Sequence, residues 1–183
     1  ATSRMYDAIA KSNFQQEIFE AYHDLIAFGT SCLMIEEDQD DILLFSARHI
    51  KEIYIQENKK GYVDTIYRRF KMPSQAAADK FGLENVSRDL VNKARKNPFD
   101  DVQLVHVVRP RLDFDPGKQD KKNMPFQSIY MEYESGHIIS IGGFKESPYV
   151  IPRYLKASTE QYGRSPGMNA LPDVKVLNKM VEN

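Results

Sequence analysis

The sequence predicts a mixed α+β fold, and three features carry that prediction. Residues 13–28 repeat apolar side chains at helical spacing. Several later stretches are short, rich in β-branched and aromatic residues, and separated by turn-forming Gly, Pro, Asn and Asp. Two brief helical patterns interrupt these strand-like stretches, and the chain closes on another. The expectation is a leading helix, antiparallel β hairpins, a small sheet with short helices and a terminal helix, all in a single unit spanning residues 1–183.

In the leading helix Phe14, Ile18, Tyr22, Leu25 and Ile26 fall on one face. Ser12 with Gln15 can form a capping box, and Gly29 can supply a left-handed C-terminal turn. "TSCLMIEE" and "ILLFSA", on either side of the acidic "DQDD", predict a first hairpin. "IYIQEN" and "YVDTIYRRFKM" predict a second, with Gly61 in its turn. "PSQAAADKF" ends at Gly82 and "SRDLVNKARKN" at Pro98, two short helices of which the second has Ser87 as its N-cap. "VQLVHVVRPR", "FQSIYMEYE" and "HIISIGGF" predict three strands, with Ser135 and Gly136 turning between the last two. The intervening "LDFDPGKQDKKNMP" has the composition of a mobile surface loop. Pro148 and Pro152 confine "YVIPRYLKA" to an edge strand or an irregular crossing. Pro172 predicts a break, so that the final helix starts near Leu171 and buries Val174, Leu177 and Met180 or Val181.

The totals narrow the function. With 25 Lys and Arg against 26 Asp and Glu, no whole-chain basic field exists to wrap nucleic acid or an anionic membrane. The single Cys32 excludes an intramolecular disulfide framework and a cysteine-based zinc site. No apolar run approaches the ~20 residues of a membrane span, and no signal peptide is visible. The chain opens on Ala1 and closes in helical rhythm without a stop signal, so a piece of a longer protein is expected.

One motif suggests catalysis. Gly163-Arg164-Ser165-Pro166-Gly167 matches the G-x-S-x-G pattern of a hydrolase nucleophile elbow. In that elbow the residue after the serine donates its backbone N–H to the oxyanion, and Pro166 has none. The last histidine, His137, also precedes Ser165, contrary to the usual chain order of such triads. The structural reading is that Gly163 allows a sharp turn, Ser165 caps a helix and Pro166 takes its first position.

The remaining candidates are likewise read as structural. His23, His49, His106 and His137 lack short ligand spacing. The acidic run 36–41 lacks the glycine and terminal glutamate of a calcium loop, and Cys32 adjoins an apolar run. In "YRRFK" strand alternation divides Tyr67, Arg69 and Lys71 from Arg68 and Phe70. The "GKQDKK" loop carries too few cations for strong non-specific DNA affinity. Neither a cofactor nor a metal is expected. The alternatives left open are a serine hydrolase using Ser165 and a stand-alone module that binds DNA weakly.

An ordered series of segments resembles one family. "LIAFGTSCLMIEE", "LLFSARHIKEIYIQENKKGYVDTIYRRFKM", "QAAADKFG", "HVVRPR", "SPYVIPRYLKA" and "YGRSPGMNALPDVKVLNKM" together resemble the portal, or head-to-tail connector, proteins of short-tailed bacteriophages and related prophages. The resemblance implies a central piece of a portal chain, drawn from its wing together with part of its stem or clip. It implies a non-enzymatic virion protein, made in the bacterial cytoplasm and placed at the portal vertex. The full-length protein would form a ring, typically a dodecamer, that passes double-stranded DNA without sequence specificity. Its partners would be terminase, tail or adaptor proteins and scaffold or capsid protein, with no membrane. Gly29, Gly61, Tyr162, Gly163, Arg164, Ser165 and Pro166 would form the family's structural motif.

Overall fold

The computed structural model describes residues 2–38, 42–118 and 120–182. In chain order the elements are α1 (Thr2–Lys11), α2 (Phe14–Phe28), β1 (Leu33–Asp38), β2 (Ile42–Ala47), β3 (Ile53–Glu57), β4 (Val63–Pro73), α3 (Ser74–Phe81), α4 (Arg88–Lys96), β5 (Asp101–Pro110), β6 (Phe126–Glu132), β7 (Ile138–Phe144), β8 (Tyr149–Val150) and α5 (Pro166–Val181). The mixed α+β class is as the sequence predicts. The chain folds as two compact units, one from Ala1–Lys51 with Pro148–Asn183 and the other from Glu52–Ser147.

In the first unit β2, β1 and β8 form a three-stranded antiparallel sheet. The first hairpin forms as expected; residues 39–41 of its acidic turn lie outside the described residues. The short β8 sits at the sheet edge, where flanking prolines cost no ladder bond. Helix α1, which the sequence reading did not anticipate, is exposed except where Ala8 and Ile9 are partly covered.

The start of α2 corrects two expectations. No capping box forms: Asn13 is the N-cap, and the Ser12 hydroxyl donates to Ile9 O at 2.7 Å and accepts from Phe14 N–H at 3.3 Å. The Asn13 amide instead acts as a strand surrogate, donating to Phe45 O at 2.8 Å and accepting from Phe45 N–H at 2.9 Å. The Glu17 carboxylate accepts from Ala47 N–H at 2.6 Å. These bonds set the roll of the helix, so that Ala21 is buried with Phe14, Ile18 and Leu25 partly covered, while Tyr22 and Ile26 face solvent. Phe14 meets Phe45 edge-on at 5.0 Å.

In the second unit β3-β4-β5-β6-β7 form one antiparallel sheet. The sequence reading treats the second hairpin and the three later strands separately; β4 joins them by pairing with β5 from Ile66↔Val108 to Pro73↔Asp101. Helices α3 and α4 cover one face, where Ala77, Ala78, Leu90 and Ala94 pack with Phe70, Leu104 and Ile139. Small alanines allow that close approach. Ser87 caps α4 as predicted, accepting from Leu90 N–H at 3.2 Å. Buried Glu132 accepts from Ser87 N–H at 2.9 Å and from the Ser87 and Ser135 hydroxyls at 2.8 Å each.

Strand alternation divides "YRRFK" as expected. Arg68 turns inward to Glu52 at 3.1 Å and lies over the Phe70 ring, whereas Tyr67, Arg69 and Lys71 are exposed. The 111–125 connection lies largely at the surface and is held at its base. There Arg111 donates through its backbone to Pro125 O at 2.8 Å and through Nε to Met124 O at 3.1 Å. Gln119 lies outside the described residues.

The final helix departs from expectation. Helix α5 runs unbroken through Pro172, and its apolar side chains are exposed. Proline removes one N–H and crowds the preceding turn, but a helix already nucleated and capped at Ser165 has other bonds to carry it through.

Candidate functional site

The residues singled out by sequence converge, except Gly61, on one corner of the first unit, where the C-terminus of α2 meets the N-terminus of α5. Gly29 ends α2 in the left-handed region, at φ 75°, and its N–H donates to Leu25 O at 2.9 Å. The chain leaves this cap directly against residues 163–165. A Cβ at Gly29 would collide with Gly163 O and Arg164 C, and a Cβ at Gly163 would collide with Gly29 O. Two glycines face one another because two backbones occupy the space a side chain would need.

Hydrogen bonds fix the corner on both sides. Gly163 N–H donates to buried Thr30 Oγ1 at 2.7 Å. Tyr154 N–H donates to Gly29 O at 2.8 Å, and Arg164 N–H to Leu155 O at 2.7 Å, so a strand-like crossing bonds to both glycine segments from one side. Ser165 Oγ donates to Ala27 O at 2.9 Å and accepts from Met168 N–H at 2.9 Å. One hydroxyl thereby caps α5 and satisfies a carbonyl in the last turn of α2. Pro166 follows at the start of the helix, where a missing N–H costs nothing.

This geometry places Ser165 as a helix cap. The side chain is fully buried, both functions of its hydroxyl are engaged with backbone, and Pro166 offers no oxyanion donor. Beside it, Arg164 grips Glu160 in a two-pronged pair, Nε to Oε2 at 2.9 Å and Nη2 to Oε1 at 2.6 Å. The hydrogen bond holds the Glu160 carboxyl below its usual range and the Arg164 guanidinium above its own. Tyr162 is partly buried at the edge of the corner. Gly61 belongs to the other unit, where it sits at φ 79° in the β3–β4 turn and donates to Asn58 O at 2.9 Å.

The sequence reading missed Thr30, whose position immediately after a helix-ending glycine was the available signal, and it missed the bonds from Asn13 and Glu17 to β2. The histidines take structural positions. His106 is buried, 2.9 Å from Ser128 Oγ, and stacks on Tyr130 with centroids 3.9 Å apart. His137 Nε2 lies 2.9 Å from Asn85 O, His49 Nδ1 accepts from Lys51 N–H at 3.2 Å, and His23 is exposed. Cys32 is buried. Among the described residues, no three His, Cys, Asp or Glu side chains are grouped to hold a metal ion, and no helix is long and apolar enough to cross a membrane. Burial raises the Asp24 carboxyl above its usual range, with His49 opposing the shift.

The corner is a glycine-to-glycine joint held through backbone, with its one serine used as a helix cap. Residues 1–183 match the family described as "Bacteriophage head to tail connecting protein", and the chain belongs to that family. It is 33% identical over 178 residues to the "Portal protein" of Salmonella phage epsilon15, covering 95% of this chain and 32% of that protein. It is 29% identical over 179 residues to the "Probable portal protein" of Bordetella phage BPP-1, covering 96% of this chain and 32% of that protein. The chain thus spans about a third of the length of these relatives.

Proposed function

We propose that the chain is the central part of a portal subunit, and that the full-length protein forms a closed ring, typically of twelve copies, at one capsid vertex. Double-stranded DNA enters and leaves through the ring without sequence-specific readout. Terminase docks during packaging, tail or adaptor proteins bind afterwards, and scaffold or capsid protein surrounds the ring. The subunit is made in the host cytoplasm and ends in the virion. The 162–166 corner with Gly29 serves as the stiff joint that sets the direction of α5.

The observation that carries this reading is the state of α5. Leu171, Val174, Leu177, Met180 and Val181 are between 46% and 87% exposed. An isolated globular chain gains by burying such a helix, whereas a subunit keeps apolar surface for its neighbours. A head-to-tail contact repeated around an axis closes into a ring when the rotation permits. Native mass spectrometry and electron microscopy of the full-length protein test the proposal: rings of uniform stoichiometry are expected, and a protein monomeric across concentration and salt would overturn it.

A further inference from the structure

The five-stranded sheet has a second face, opposite the one that α3 and α4 cover. A single cross-strand row runs over it: Tyr54, Tyr67, Val107, Ile129 and Ile141 are partners in consecutive registers from β3 to β7. A second row, Arg69, Val105, Met131 and Ile138, lies beside it. Tyr54, Tyr67, Ile138 and Ile141 are exposed, Val105, Ile129 and Met131 are half-buried and Val107 at the centre is buried, so this apolar surface meets solvent chiefly towards the two sheet edges. Three cations share the face. Arg69 bonds Gln103 and lies over Tyr133, Arg109 bonds Gln127, and Lys71 is exposed. None of the three has a carboxylate partner among the described residues.

The first unit presents the converse surface. In the β1–β2 hairpin, Glu36 is the partner of Leu44 and Asp38 of Ile42, so these four side chains share one face. Ile42 and Leu44 are exposed, and Glu36 makes no ion pair among the described residues. An apolar row bordered by cations on the sheet face is thus complementary to an apolar pair bordered by Glu36 on the hairpin of another copy.

We propose that the open sheet face of one copy receives the outer face of the β1–β2 hairpin of a second copy, with Ile42 and Leu44 over the Tyr67–Ile129 row and Glu36 against Arg69 or Arg109. The inference rests on the ring reading and adds the surfaces that make the contact. The contact is heterologous, since different patches meet, and so it propagates around a ring without pairing copies off. Complementary charge sets its register and suppresses like-to-like pairing of either patch. Duplex DNA suits the sheet face less well, because phosphates would use three cations and leave the apolar row uncovered.

Size limits the strength of one such contact. Five strands at ~4.8 Å spacing and two rows of side chains make a patch on the order of 300 Å². A stable pair buries about 800 Å² per partner, so a single contact is weak and gains its strength from ring closure and from other surfaces of the full-length subunit. The test therefore uses the full-length protein. In it, Arg69→Glu with Arg109→Glu should raise the concentration for half-assembly about tenfold, and adding Glu36→Lys should return most of that loss. Separately, Leu44→Cys with Tyr67→Cys should give a ladder of disulfide-linked multimers on mild oxidation. This second variant leaves the charges in place and decides the matter if the charge variant misfolds.

Wild-type rings together with unchanged assembly of the charge variant and no ladder would overturn the inference while leaving the ring reading intact. Unchanged assembly with lost retention of duplex DNA would overturn it in favour of a DNA-facing surface. Failure of the wild-type protein to assemble at all would overturn the ring reading itself, and this contact with it.

Discussion

Replacing Ser165 by Ala separates a structural hydroxyl from a catalytic one. The structure assigns the hydroxyl two bonds, one from Met168 N–H and one to Ala27 O, in a fully buried position. Loss of an N-cap costs about 0.5–2 kcal/mol. Loss of the bond to the carbonyl of Ala27, an exposed residue, adds up to roughly 1 kcal/mol, because water can reach the freed acceptor. A combined loss of about 1–3 kcal/mol is expected, with a fall in Tm on the order of 3–10 °C for a chain of this size. Urea titration and thermal melting followed by circular dichroism measure the loss, and a fluorophosphonate probe reports nucleophilicity in parallel. The reasoning is refuted if Ser165→Ala melts within about 0.5 kcal/mol of the parent chain, and doubly so if the parent labels stoichiometrically and the variant does not.

Other perturbations test neighbouring parts of the argument. Gly29→Ala or Gly163→Ala drives a methyl into backbone across the corner, and each should lose more than about 2 kcal/mol in urea titration; tolerance of both would contradict the close approach. Asn13→Ala removes both bonds to Phe45 and should cost about 1–2 kcal/mol while exposing the β2 edge, read as increased aggregation by light scattering. Pro172→Ala should stabilise α5 by up to about 3 kcal/mol and increase the helical signal at constant corner geometry. Asp24 titrates above its usual range in the fold because burial favours its neutral form. Its ionisation therefore opposes folding as pH rises from the ordinary aspartate value through the raised one, and the penalty is absent below both. Asp24→Asn should accordingly be more stable than the parent at neutral pH, with the difference vanishing in acid; a difference that grew in acid would reverse the assignment.

The corner was largely legible from its residues. A helix-ending glycine, a serine before a proline and a second glycine are local signals, and each does locally what its chemistry dictates: Gly29 turns left-handed, Ser165 caps and Pro166 starts α5. The Ser87 cap and the turn at Gly61 were legible for the same reason. The roll of α2 was not, because its apolar residues cover more than one face. What selects Ala21 over Tyr22 for burial is the pair of side chains, Asn13 and Glu17, that bond a strand edge some thirty residues away. The capping box failed against the same competitor. Pro172 misled because an intrinsic cost was taken for a prohibition, and the exposed apolar face of α5 misled because amphipathic spacing says that a face will be covered but not by which molecule.

Composition and local pattern determined the mixed α+β class, most element positions and the capping place of Ser165, while the resemblance of an ordered series of segments to a known family pointed to the phage connector family that the chain belongs to. Tertiary structure decided that the two sets of strands become one sheet through β4 and β5, that Gly29 and Gly163 face each other, and that 1–183 divides into two compact units. The division follows from the range of the interactions. Caps, turns and periodicity act within a few residues and are written in order along the chain, whereas registers and close approaches join residues far apart, such as Thr30 and Gly163, and exist only once the chain has folded.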